Sequence, residues 1–186
     1  FVAVAGQPLH FQFDQPQEFG LATGRVGLAR LLVAVVVPAG FRAVGAQVKR
    51  MVDIGPAFEA AATLRESKAR QAEAEGHLET AREHYFVAAL LWGSAQWPYH
   101  ENNEPNLRCN ERKNACYEAW VRQAAHRVER VEIPFGAATL PAYFHLPADG
   151  PGPFPTAIKI SGMDGMKELS VSQYGDKFLE RGMAVL

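Results

Sequence analysis

The sequence predicts an α/β chain, with a helical domain leading into the first strands of a sheet. Three observations carry this. Apolar residues recur at helical spacing over residues 56–127. At residue 128 the period changes to an alternation, as in a strand with one face buried. After a loop dense in Pro and Gly, residues 147–155, the chain runs strand, helix, strand, the order of a parallel crossover unit. Three segments follow: 1–55, weakly patterned; 56–127, helical; and 128–186, the front of a sheet.

In the first segment Leu31, Leu32, Val33 and Val35–Val37 suit a strand or a buried helix, and periodicity does not separate the two. Pro56 fits a first helical turn, Phe58, Ala61, Ala62 and Ala69 form a stripe, and Gly76 stops the helix. A second helix runs from an N-cap at about Thr80 through Trp97, where Pro98 ends it. Tyr85, Ala88, Ala89, Trp92 and Ala95 share one face, while Phe86, Val87, Leu90 and Leu91 lie off it. A helix apolar on more than one side is expected between two neighbours. Residues 98–105 are a polar loop, and a third helix is expected from about Asn106 to His126, with Cys109, Cys116 and Trp120 in one stripe. Val128–Phe135 and Thr139–Leu146 pair as antiparallel strands across a turn at Gly136. Thr156–Ile160 is a short strand, Ser161–Gly165 a tight loop, and 167–181 a helix with Val171, Tyr174, Phe178 and Leu179 inward. Gly182 closes that helix, and Met183 opens a last strand expected to lie as a poorly covered edge.

Composition excludes several classes. Of 186 residues 48% are hydrophobic and 21% charged, with a mean hydropathy of −0.13, so a packed core is within reach and bulk disorder is not expected. Nineteen basic against twenty acidic residues leave a net charge of −1, which gives no footprint for nucleic acid or an anionic membrane. The longest apolar run, Leu28–Val37, is broken by Arg30 and ended by Pro38. It is far shorter than the roughly 20 residues a membrane span needs, and its place in the chain disfavours a signal peptide. Cys109 and Cys116 lie two helical turns apart, too far for a disulfide. Buried reduced thiols and a cytoplasmic setting are expected. There is no P-loop, no G-x-G-x-x-G and no metal-spaced ligand set, so no cofactor is expected. Phe1 at the start, and an opening strand broken off at Leu186, suggest a piece of a longer protein.

The ordered set then resembles a known family. The helical stretch around Ala88-Ala89-Leu90-Leu91-Trp92, the segment Arg130–Phe135, Ile160-Ser161-Gly162-Met163 with Lys167-Glu168, and Glu180-Arg181-Gly182-Met183-Ala184 are similar to the opening of α/β-hydrolases that carry a helical cap domain ahead of the core. That family includes 2,6-dihydropseudooxynicotine hydrolase, fungal pigment hydrolases and FrsA-like proteins. The match covers residues 55–186; residues 1–50 carry none.

The resemblance implies a serine hydrolase acting on an ester or on a C–C bond beside a ketone. Its nucleophile sits in a G-x-S-x-G turn. None of the five serines, Ser67, Ser94, Ser161, Ser170 and Ser172, lies in that pattern. Nucleophile, acid and histidine are therefore expected beyond Leu186, and the chain alone is expected to be poorly soluble and without esterase activity. What the resemblance places here is the loop between the third strand and the first helix. It assigns the Met163 N–H to half of the oxyanion hole, with Gly162 admitting substrate closely. Read plainly, the same residues make an ordinary strand-to-helix turn. Asp164 is either a substrate-orienting or proton-donating carboxylate or a helix N-cap. Lys167 and Glu168 mark a first helical turn, Glu168 favoured by the helix dipole.

Trp97 and Tyr99 either line a pocket under the cap or belong to the core. His145 faces solvent or a loop, His84 and His126 sit on helices among charges, and His100 with Glu101 and Glu104 is a solvated loop rather than a metal site. A small-molecule substrate and a homodimer are the expected partners. The competing reading is a non-catalytic helical interaction domain with a short α/β tail, or a degenerate regulatory FrsA-like protein.

Overall fold

The computed structural model describes residues 41–162, 165–169 and 176–186, and the backbone of 2–4. The apolar run 28–37, and the inward positions Val171 and Tyr174, lie outside the described residues. The chain divides into two compact units, one formed by Val35–Ala125 and the other by His126–Leu186 with the N-terminal strand.

The first unit is helical. Residues 41–45 are helical, and a 3-10 turn at Met51–Asp53 leads into α1, Ile54–Ala74. Pro56 lies in the first turn of α1, where its missing N–H costs nothing. Gly76 ends α1 as the sequence predicts: its φ of 79° lets the His77 N–H reach back to the Ala72 carbonyl at 2.8 Å, a Schellman closure. That closure delivers the chain straight into α2, Leu78–Ala95. Its N-cap is therefore His77, with no side-chain cap bond, and Thr80 lies inside the first turn instead of before it. Residues Tyr85–Ala95 are all buried, because α2 packs against α1 on one side and α3 on the other. Helix α3, Glu104–Arg122, starts earlier than expected. The Asn103 side chain accepts from the Asn106 N–H at 3.1 Å, so Glu104 and Pro105 belong to the first turn and not to the loop. It also stops short of His126, which leads into the next strand. Phe86 and Tyr117 both pack on Trp120, with ring centroids 5.6 and 5.0 Å away.

The second unit holds a five-stranded sheet in the order β1-β4-β5-β3-β2. Its strands are β1 (Val2–Val4), β2 (Arg127–Phe135), β3 (Ala138–Leu146), β4 (Thr156–Lys159) and β5 (Ala184–Val185). β2 and β3 form the expected antiparallel hairpin in a register from Arg127↔Leu146 to Phe135↔Ala138. Gly136, at φ 60°, occupies the first turn position, where a side chain would be strained. β4 and β5 are parallel, as a crossover requires.

Two expectations about the strands, and one about a helix, are corrected. β5 is no edge: it sits between β4 and β3, and Ala184 and Val185 are 0% and 1% exposed. Pairing on both sides is what a short apolar strand needs to bury its backbone. Among the described residues the ends of the sheet are β1 and β2. β2 is not half-buried: Val128 and Val131 are partly covered, while Ile133 and Phe135 are exposed. The helix expected over 167–181 appears as a 3-10 turn, Lys167–Leu169, and a short α4, Asp176–Leu179, with 170–175 outside the described residues. Gly182, at φ 71°, closes α4 before β5.

Candidate functional site

The loop 160–169 leaves the carboxyl end of β4. β4 is held beside β5 by a parallel ladder: the Leu186 N–H donates to the Ala157 carbonyl at 2.9 Å, and the Lys159 N–H to the Leu186 carbonyl at 2.7 Å. Sites in open α/β sheets lie outside the carboxyl ends of such strands. The Gly165 N–H donates to the Gly162 carbonyl at 3.0 Å, which folds the loop into a tight turn. The two glycines differ. A Cβ on Gly165 would lie 2.8 Å from the Ser161 Cβ, so that position requires glycine. A Cβ on Gly162 would meet nothing within 4 Å, so Gly162 borders open space. Met163 and Asp164, the other two site residues expected from sequence, lie outside the described residues.

The base of this loop is a buried ion pair. Glu168 is 0% exposed, and the Lys167 ammonium lies 2.7 Å from its Oε1. The same ammonium sits 5.5 Å from the centre of the Tyr143 ring on β3. The sequence places Glu168 in the first turn of an α-helix, where the helix dipole favours it. The 3-10 turn rotates it inward instead, beneath the loop.

The histidines are also placed differently from the sequence reading. His145 is on the inward face of β3 with Tyr143 and is 2% exposed, not solvent-facing. His126 lies just before β2 rather than on a helix, and its Nε2 is 2.9 Å from His145 Nδ1. Burial first, and the neighbouring His126 second, push the His145 pKa down to about 3. The His145 ring is therefore neutral around pH 7, so one of its nitrogens donates and the other accepts.

In the helical unit sequence reasoning missed the central polar cluster. Glu66, 3% exposed, receives Arg70 at 2.8 Å, Arg112 at 2.8 Å and the Trp92 indole N–H at 3.1 Å. Arg112 also stacks over Trp92, 5.7 Å from the ring centre. Cys116 is hydrogen-bonded to Glu66, and burial and that carboxylate push its thiol pKa up to about 12. The signal was present. Glu66 falls in the buried stripe Ala62-Glu66-Ala69-Ala72, where an acid must find internal partners. Glu66, Glu73, Tyr85, Cys116 and Arg122 border an open cleft of about 420 Å³.

Trp97 and Tyr99 do not line that cleft. Trp97 is 59% exposed. Tyr99 packs against the start of α1, where a Cβ on Gly55 would come within 3.0 Å of its hydroxyl. That hydroxyl points to Glu59 at 3.5 Å, and Glu59 also receives Arg108 at 3.0 Å. Burial, then the Glu59 charge, raise the Tyr99 pKa. Among the described residues no group of three or more His, Cys, Asp or Glu is arranged to hold a metal ion, and no helix is long and apolar enough to cross a membrane.

Comparison with known proteins matches this architecture to one family. The family model described as "Esterase FrsA-like" matches residues 58–186, more than two thirds of the chain. Esterase FrsA of Escherichia coli K12 is 28% identical over 118 residues, which span 63% of this chain and 28% of that protein. Esterase FrsA of Escherichia coli O1:K1 shows the same identity and coverage. The chain thus spans less than a third of the length of the curated relatives it matches. The crystal structure of 2,6-dihydroxy-pseudo-oxynicotine hydrolase superposes with a TM-score of 0.64 at 27% identity, covering 85% of this chain and 44% of that one. With this extent of match, and with helices followed by the β2-β3-β5-β4 arrangement, the chain belongs to the FrsA-like esterase family of α/β-hydrolases.

Proposed function

We propose that this chain forms the helical cap and the front of the sheet of a serine-type α/β-hydrolase that cleaves an ester, or a C–C bond beside a ketone, by acyl transfer. The observation that carries the proposal is the tight loop at the carboxyl end of β4, beside the parallel strand β5. In this reading the loop supplies the Met163 N–H as one oxyanion donor, and Gly162 leaves the approach open. Asp164 orients a polar group of the substrate. Within the helical unit, exposed Trp97 and Tyr99, whose hydroxyl faces Glu59, are the candidate substrate-contacting aromatics. The nucleophile, acid and histidine belong to sequence following Leu186. The two free thiols agree with a cytoplasmic enzyme.

The chemistry follows from that placement. The serine Oγ adds to the substrate carbonyl carbon and passes its proton to the histidine. The resulting oxyanion accepts hydrogen bonds from the Met163 N–H and from the N–H after the nucleophile. Collapse breaks the C–O or C–C bond, and the histidine returns the proton to the leaving group. Water then repeats the sequence and frees the acid.

The test is made on the longer protein. Hydrolysis of p-nitrophenyl esters is expected from it and not from the 186-residue chain. Met163→Pro deletes one oxyanion donor and is expected to lower kcat about a hundredfold. A longer reading frame with no G-x-S-x-G turn, or turnover by the 186-residue chain itself, overturns the proposal.

A further inference from the structure

Three carboxylates recur at every seventh residue of α1, Glu59, Glu66 and Glu73, and so share one side of the helix. Each accepts a hydrogen bond from an aromatic side chain of the next segment, in reverse order. Tyr99 meets Glu59 at 3.5 Å, Trp92 meets Glu66 at 3.1 Å and Tyr85 meets Glu73 at 2.6 Å. Each also receives a donor from α3 or its C-cap residue: Arg108 at 3.0 Å, Arg112 at 2.8 Å and Gln123 at 3.0 Å. These rungs hold α1 and α3 side by side along α2.

The spaces between the rungs differ. From the first rung to the second, α3 sends the long side chains of Arg108 and Arg112 across to α1. From the second to the third it presents Ala115 and Ala119, which are too short to cross. The open cleft of about 420 Å³ lies there, in the size range of small-molecule sites. Its inner acids are engaged: Glu66 takes Arg70, Arg112 and the Trp92 N–H, and Glu73 takes the Tyr85 hydroxyl and the Gln123 amide. The bases have more to give. Arg70 reaches Glu66 through Nη2 at 2.8 Å, and a guanidinium carries five N–H donors in all. Arg122, in the last turn of α3, borders the cleft from the other wall.

We propose that this cleft binds a small organic carboxylate, held between the guanidinium groups of Arg70 and Arg122, with its apolar body on Ala115, Ala119 and Tyr85. The planar guanidinium fork matches a carboxylate. Glu73 and Glu118 also border the cleft and disfavour a more highly charged anion such as phosphate. The alanine floor gives an apolar body a surface to cover, which a bare inorganic ion does not use. This site is independent of the hydrolase chemistry.

NMR titration of the 186-residue chain with sodium benzoate tests the proposal, against benzamide, its neutral counterpart of similar shape, and against inorganic phosphate. Benzoate is expected to bind one to one, with a dissociation constant on the order of 1 mM. Benzamide is expected to bind at least about tenfold more weakly, and phosphate more weakly still. Arg122→Gln removes one charged donor and is expected to weaken benzoate about tenfold. Arg42→Gln removes the same charge from outside the cleft and is expected to stay within about twofold of wild type, because a distant exposed charge is screened. Ala115→Leu, at an exposed position, fills the cleft without touching a charge and is expected to abolish binding. Absence of benzoate binding overturns the proposal. So does equal binding of benzamide or phosphate, and so does equal weakening by Arg42→Gln and Arg122→Gln, the mark of diffuse attraction to a basic surface. Undiminished binding to Ala115→Leu places the ligand elsewhere and overturns it too.

Discussion

His126 and His145 meet Nε2 to Nδ1 at 2.9 Å, one ring at the entry to β2 and the other sealed on the inward face of β3. The two residues tie the first and last positions of the hairpin together, because Arg127 and Leu146 close its ladder. Burial, and the His126 ring beside it, favour the neutral form of the His145 imidazole.

The pH dependence follows with its sign. The folded pKa of His145 is pushed down to about 3, against an ordinary value near 6.5 in the unfolded chain. Between these values the unfolded state binds the additional proton. Stability is therefore fully present above pH 6.5 and is lost as pH falls toward 3, by up to roughly 4 kcal/mol. Urea unfolding at pH 7.5 and pH 4.5 is expected to show this loss, and His145→Gln is expected to flatten the slope. An unchanged slope in that variant would assign the loss to other groups.

Glu66 is expected to be the most sensitive polar position of the helical unit. Glu66→Ala leaves the buried Trp92 N–H and Cys116 thiol without their acceptor and removes the counter-charge of Arg70 and Arg112. Both guanidinium groups retain access to water, which softens the loss, so a destabilisation of about 2–3 kcal/mol is expected by chemical denaturation. Glu66→Gln keeps an acceptor and is expected to cost about half as much. Equal and negligible effects would show that the cluster contributes nothing.

The two glycines of the loop after β4 separate packing from openness. Gly165→Ala forces its Cβ to 2.8 Å from the Ser161 Cβ and is expected to cost on the order of 1–3 kcal/mol. Gly162→Ala meets nothing within 4 Å and is expected to stay within about 0.5 kcal/mol of wild type. Thermal denaturation of the two variants side by side checks the contrast. The reverse order would mean that the loop takes another conformation.

The cysteines are expected to be inert in the folded protein. Burial and nearby carboxylates raise the Cys109 thiol to about 11 and the Cys116 thiol to about 12, so almost no thiolate exists at neutral pH. Ellman's reagent should label both only after denaturant is added. Labelling of the native chain at the rate of a free thiol would contradict their burial.

Local structure is written in neighbouring residues. Helical periodicity, Gly76 after α1, the alternation that begins β2 and β3, and Gly136 between them are all short-range signals. The family was legible for the same reason, from an ordered run of such segments. Tertiary structure alone decided which polar groups are inside. Glu66 and Glu168 look like surface acids in their own elements, and only packing from distant segments encloses them. His145 is inward because β3 pairs with β5, forty residues on, and β5 is central because it is bracketed by strands from two different parts of the chain. Burial and strand order are sums over contacts remote in sequence, so no local pattern carries them.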